Sequence, residues 1–314
     1  MIDASRIAAI FERFTSGYHF YLEDLRSGES VELGERAAWP IGSCFKLAVL
    51  IAYSEALADG TLPPGSLDAE TVIPPDRISA GSGVVNLLDT PIRLSDRQML
   101  RLMISASDGT ATDFLIDKLG LERVQATLRR AAPESTIACG QHEMVRSFWA
   151  IPGALECKTR DWTTEEARSF RDATSRLGAT HAEDLCRLVQ VAFDHMNNNF
   201  ADEHFASSMK KMGRAYSRTE SFLQNPIMSF NKGGSLGRTY FLTDCAVIFD
   251  ATASEPLYRF GYCSEGWRLP AFVVETICGL IGLEMAAALG IAVKPNWDFT
   301  PEGAKLLLGD LWPA

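Results

Sequence analysis

The first fourteen residues read as an amphipathic helix, Met1 to Phe14, with apolar and charged positions alternating at helical spacing. β-rich runs follow over 18–25 and 30–33. They flank Arg26-Ser27-Gly28-Glu29, the pattern of a hairpin around a glycine-containing turn. From residue 43 to about 212 the pattern is mostly helical, with apolar residues at helical spacing over 45–59, 95–107, 111–118, 121–130 and 182–197. Pro63-Pro64-Gly65 and Pro74-Pro75 punctuate this half with loops. Strand character returns over 227–230, 238–249 and 257–263, and a long apolar helix is expected from about 271 to 289.

The strands are therefore split between the two ends of the chain. A two-stranded hairpin is marginal alone, so the N-terminal pair must join the C-terminal strands in one sheet. The expected fold is α/β: an antiparallel sheet of about five strands flanked by helices, with an all-helical segment inserted. The expected organisation is an α/β subdomain from 1–42 and 215–314 and a mostly helical subdomain from 43–214, with a site between them.

At 314 residues and 46% hydrophobic content the chain can build a sizeable core without disulfides. The net charge of −10 and the absence of any Lys/Arg-rich run argue against nucleic acid as a partner and for a small molecule. The apolar stretch 270–293 contains Glu275 and Glu284 and reads as a buried helix, so no membrane span is expected. The N-terminal helix lacks the apolar core of a signal peptide. Seven cysteines, an odd number without close pairs, suggest reduced thiols and no zinc site. Together these features lead to an expected cytoplasmic location. The five histidines, at 19, 142, 181, 195 and 204, form no metal-ligand spacing, so neither a metal nor another cofactor is expected.

Chemistry enters at Trp39-Pro40-Ile41-Gly42-Ser43-Cys44-Phe45-Lys46, a turn that runs into an apolar helix. Ser43 and Lys46 are three apart and share a helical face. A lysine amine that loses part of its hydration has a lowered pKa and can act as base toward the serine hydroxyl. The spacing is common: Ser207 and Ser208 make the same pattern with Lys210 and Lys211, but in a polar stretch with no preceding turn. Taken alone, Ser43 reads equally well as a helix N-cap. Cys44, one position on, points to another face and reads as packing.

Two further elements follow in order. Ser107-Asp108-Gly109 ends the apolar helix around 98–104, and Asn231-Lys232-Gly233-Gly234-Ser235 lies on an expected strand. With these, the chain resembles the serine β-lactamase and penicillin-binding protein superfamily, especially its class A-like branch, which carries S-x-x-K, S-D-N and K-T-G elements in this order. The resemblance spans nearly the whole chain, including the Gly81-Ser82-Gly83-Val84 segment before the second element. It implies Ser43 as acyl-accepting nucleophile, Lys46 as its base or proton relay, and Ser107 as proton donor to the leaving group. It further implies Lys232 as the holder of the Ser107 hydroxyl, and the amides of Ser43 and Ser235 as oxyanion donors. Lysine is scarce here, eight against 22 arginines, which sets Lys46 and Lys232 apart from generic surface charge.

The chain also departs from the family. Gly109 stands in place of a substrate-reading asparagine, and Gly233 in place of a threonine or serine that helps bind a carboxylate, a loss Ser235 can partly replace. Gly109, Gly233, Gly234 and Ser235 are thus the expected substrate-binding positions. The family's deacylating string E-x-x-L-N is absent. Glu166, or its neighbour Glu165, in the expected loop before Ala179-Thr180-His181 is the candidate water-activating base, against the plainer reading of a carboxylate at a helix start. The expected function is an acyl-serine hydrolase cleaving a cyclic amide such as a β-lactam, an amide or an ester. The alternatives are a cytoplasmic biosynthetic hydrolase or acyltransferase acting on a natural-product intermediate, and an acyl-binding sensor that does not turn over.

Overall fold

The computed structural model describes residues 2–79, 81–198, 227–250 and 255–291. The polar Ser207 and Ser208 matches and the 214/215 subdomain boundary lie outside them. Helix α1 (Ser5–Phe14) turns Ile7, Ile10 and Phe11 inward, as its spacing requires. Strands β1 (Gly17–Asp24) and β2 (Ser30–Gly34) form the expected hairpin, with Phe20 opposite Leu33. A short strand β3 (Trp39–Pro40) leads into the tight turn Gly42–Phe45 and helix α2 (Lys46–Ala58).

The middle of the chain contributes β4 (Glu70–Ile73), β5 (Ile92–Ser95), α3 (Asp96–Ser105), α4 (Gly109–Leu119), α5 (Leu121–Ala131), α6 (Gln141–Trp149), α7 (Thr164–Ser175), β6 (Ala179–Thr180) and α8 (Ala182–Asn198). After it come β7 (Ile227–Leu236), β8 (Phe241–Asp250), β9 (Pro256–Glu265) and α9 (Ala271–Ala288). The main sheet has five strands in the order β2-β1-β9-β8-β7, every neighbouring pair antiparallel. The two ends of the chain meet at β1 and β9, where Gly17 lies opposite Glu265 and Asp24 opposite Tyr258.

Both faces of this sheet are covered. Along β8, Leu242, Ala246 and Ile248 enter a core shared with α1 and α9, whereas Cys245 and Val247 enter a second core built around α2 and α8. The strand period of two sends successive side chains to opposite faces. A centrally placed strand therefore reads as an unbroken apolar run. Helix α2 explains its own lack of amphipathic pattern in the same way. From Leu47 to Tyr53 every side chain is buried, because α3, α4, α5 and α8 surround the helix. Helix α9 is long and apolar enough to cross a membrane, yet Val274, Ile277, Ile281 and Met285 pack in the core beneath the sheet.

Candidate active site

Ser43 sits in the Gly42–Phe45 turn, a 3-10 helix that continues into α2, with the Lys46 backbone N–H closing onto the Ser43 carbonyl. In a 3-10 turn, side chains three apart eclipse one another more closely than in an α-helix, so the Ser43 and Lys46 side chains leave the turn in line. The turn crosses the edge strand β7. At Gly42, φ is +51°, and a Cβ there would lie 3.2 Å from both Gly234 Cα and the Ser235 nitrogen. A Cβ on Gly234 would come within 2.6 Å of the Ser43 nitrogen. Glycine at both positions is what lets the two backbones approach, and the approach brings the Ser43 and Ser235 amides to the same crossing. Cys44 faces the sheet, its thiol donating to the Lys232 carbonyl at 3.1 Å, and Thr243 Oγ1 donates to the Ile41 carbonyl at 3.1 Å. Both contacts hold the turn against β7 and β8.

The end of α3 delivers Ser107 in a left-handed conformation, φ +51°, which costs a side chain about 1 kcal/mol. The conformation is held by three donors. Lys46 Nζ donates to the Ser107 carbonyl at 2.5 Å and to Ser107 Oγ at 3.1 Å, and Ser82 Oγ donates to the same carbonyl at 2.8 Å. Lys232 Nζ donates to Ser107 Oγ at 3.1 Å and to the Gly233 carbonyl at 2.6 Å. With both acceptor positions of the Ser107 oxygen taken by amines, its own proton is left to point elsewhere. Both lysines are buried. Burial first, and the neighbouring Lys232 charge second, hold the Lys46 amine well below the ordinary lysine range, against an opposing pull from Asp108 and Asp113.

Asp108 is the structural member of this group. Its Oδ1 caps α4 by accepting from the Ala111 N–H at 2.9 Å, and its Oδ2 accepts from Val84 and Val85 at 2.7 and 2.9 Å. The Gly81-Ser82-Gly83 segment is thereby fastened beside Ser107. It forms one rim of a cleft of about 470 Å³ with Ser43 and Ser107 inside. The opposite rim is β7 and its turn, from Gly233 through Ser235 to Arg238, and one wall is α6, through Gln141, Val145, Phe148 and Trp149. Gly109 lies behind that wall, at the start of α4, against Ser79 and Gln141. Trp149 thus faces the cleft, while Trp162 stacks on Phe170 at 4.9 Å, away from it. Helix α6 and Gln141 escape the sequence reading; Met144 and Phe148, four apart after Gly140, are the signal for them.

No carboxylate lines the cleft among the described residues. Glu166, the expected base, is placed elsewhere. The stretch read as a loop is helix α7, and Thr163 and Glu166 form its capping box: the Thr163 hydroxyl accepts from the Glu166 N–H, and Glu166 Oε2 accepts from the Thr163 N–H at 2.9 Å. Glu166 also pairs with Arg160, and both line a separate surface hollow with Glu165. The Thr-x-x-Glu string is itself the capping-box signature, so the plainer reading of a helix-start carboxylate is the one that matches the geometry. Among the described residues no group of three or more His, Cys, Asp or Glu side chains is arranged to hold a metal ion.

Residues 4–257 match the model of the β-lactamase enzyme family. No curated protein sequence matches the chain. Among solved structures, a β-lactamase from Sphaerobacter thermophilus DSM 20745 superposes with a TM-score of 0.69 at 21% identity, over 92% of this chain and 98% of that one. PBP-A superposes with a TM-score of 0.63 at 15% identity, over 91% and 97%. A β-lactamase from Xanthomonas campestris pv. campestris ATCC 33913 gives 0.69 at 16%, over 91% and 96%. At these identities the structures speak for the fold, and the sequence match over most of the chain speaks for descent: the chain belongs to the β-lactamase enzyme family.

Proposed function

We propose that the protein is a serine hydrolase that forms an acyl ester on Ser43 from a cyclic amide, amide or ester. The observation that carries this reading is the Ser107 hydroxyl held at 3.1 Å by each of two buried amines, beside the nucleophile turn. In its neutral form Lys46 has two N–H bonds, both engaged on Ser107, and one lone pair left to take the Ser43 proton as the oxygen attacks. The amides of Ser43 and Ser235 receive the developing oxyanion. Ser107 passes its proton to the departing nitrogen or oxygen and is resupplied through the lysines. A mutant of PBP-A, one of the structural neighbours, is an acyl-enzyme complex with penicillin-G, which supports acylation as the first step. None of the seven cysteines forms a disulfide, which supports work in a reducing compartment.

The cleft favours a second reading of the later step. With no carboxylate among its lining residues to activate water, the ester on Ser43 is long-lived, and the protein acts as an acyl trap or hands the acyl group to an amine or alcohol acceptor. Intact-mass spectrometry after mixing with a chromogenic cephalosporin or an activated ester tests both readings. An adduct that Ser43→Ala abolishes is the expected result of both readings, and a lifetime of hours is the mark of the second. An adduct that disappears within seconds would return the protein to ordinary hydrolysis, and no adduct with any acyl donor would sink the proposal.

A further inference from the structure

The turn between β7 and β8, at the rim of the cleft, departs from ordinary backbone geometry. Gly237, Arg238 and Thr239 are left-handed in succession, at φ +60°, +52° and +76°. Glycine takes this conformation freely, but arginine and β-branched threonine do not, and such a run persists only where its surroundings over-determine it. The determinant comes from outside the sheet. Lys158, just past the short turn Ala154–Glu156, donates from Nζ to the Arg238 carbonyl at 3.1 Å, to Thr239 Oγ1 at 3.0 Å and to the Leu269 carbonyl at 2.8 Å. The three N–H bonds of one ammonium thus meet three neutral acceptors, and no carboxylate pairs with it among the described residues. Cys157 seats the same turn: its thiol donates to the Gly237 carbonyl at 3.5 Å, and a Cβ on Gly237 would stand 2.8 Å from its sulfur and 3.1 Å from Phe148 Cζ.

We propose that Lys158 is a positioning residue for the chemistry at Ser43, acting through the turn between β7 and β8. Strand β7 is the edge of the sheet, and its last rungs, Ser235 opposite Leu242 and Leu236 opposite Phe241, have a partner strand on one side only. The turn is what fixes them from the end. With Lys158 in place, the left-handed course of 237–239 holds the Ser235 amide at its crossing with the Ser43 turn and keeps Arg238 at the cleft rim. Without it, the two residues that carry side chains relax toward right-handed backbone, and the end of β7 shifts with them. The position calls for a lysine, since a compact ammonium points its donors around one centre whereas a guanidinium spreads them in a plane. The assignment rests on the acyl-serine reading of Ser43, and it adds to that site a residue outside the lining of the cleft.

The test follows acylation of Ser43 by a nitrophenyl ester, through nitrophenol release and adduct mass. It is paired with inhibition by phenylboronic acid, which forms a tetrahedral anion on a serine oxygen and so reports how well the site holds that geometry. Lys158→Met is expected to slow acylation about 10- to 100-fold, the scale of a misplacement of about 1 Å, and to weaken phenylboronic acid by the same factor. Adding Thr239→Gly to that variant, which makes the left-handed backbone easy without the lysine, is expected to recover most of both losses. Thr239→Val keeps the shape and removes one acceptor; it is expected to act in the same direction by about fivefold, and it carries the test where Lys158→Met does not fold. Variants that acylate at the wild-type rate overturn the role of Lys158 and leave the acyl-serine reading standing. Slowed acylation with unchanged boronate inhibition does the same, as does a loss that the glycine fails to recover. A wild-type protein that takes no acyl group on Ser43 overturns the underlying reading, and this inference with it.

Discussion

A single methyl group on Gly234 would reach 2.6 Å from the Ser43 nitrogen and 2.5 Å from Thr243 Oγ1, closer than real Cβ contacts come. Gly234→Ala must therefore push β7 away from the Gly42–Phe45 turn and spoil the alignment of the Ser43 and Ser235 amides. The acylation rate is expected to fall about 100- to 1000-fold, the cost of one oxyanion donor, with the melting temperature changed by only a few degrees. Rapid-mixing mass spectrometry reads the rate, and an unchanged rate would remove the oxyanion role from this crossing. At the same scale, the Ser43 and Lys46 pair gains its meaning in the sequence only beside Ser107 and Lys232, since its spacing recurs at Ser207 and Ser208 and a helix N-cap explains the serine equally well. Gln141 is not legible in the sequence. A glutamine at a helix start carries no periodic signature.

Among the elements, α4 and the 81–85 segment behave as one piece because Asp108 binds both. Asp108→Ala removes a helix cap and leaves two N–H groups, those of Val84 and Val85, without their acceptor. The expected loss is at least about 2 kcal/mol in urea unfolding, combining a cap with buried donors left unmade. Acylation should slow as well, since Ser82 is released from the Ser107 carbonyl; a variant of wild-type stability would show that Asp108 is not the clasp. The hairpin of β1 and β2 is readable from its alternation around a glycine turn, and helix α2 and the terminal strands from the length of their apolar runs. The turn between β7 and β8 is not. The pattern starts the second strand at Arg238, but β8 begins only at Phe241, paired with Leu236, and Arg238 and Thr239 take the left-handed turn between them.

Taken whole, the molecule is joined across its layers by a buried acid. Glu265 ends β9, is held by Arg171 of α7 at 3.4 Å, and keeps one oxygen without a partner among the described residues. Burial pushes its carboxyl up to about 7, with Arg171 opposing and Glu35 adding to the rise. In the unfolded chain the same group titrates near 4.5. Between those values the folded state holds a proton that the unfolded state has lost, so this contribution is complete below about pH 4.5 and is lost as pH rises through 7, by at most about 3 kcal/mol. Glu265→Gln is expected to flatten that part of the profile in urea melts at pH 5 and pH 8. An unchanged slope would place the titrating group elsewhere.

The pairing of β1 with β9 has a consequence for when the protein becomes reactive. Ser43 and Lys46 lie near the start of the chain, whereas Lys232 and Ser235 sit on β7, which joins the sheet through β8 and β9, and β9 closes the sheet by pairing with β1 from the far end of the chain. Such distant pairings form late, after the cost of closing a long loop has been met. On the proposed mechanism, until β7 docks the serine has no second amide to receive an oxyanion, and Ser107 lacks one of its two amines. On the proposed mechanism a half-folded copy is expected to take no acyl group, and reactivity arrives with the completed fold.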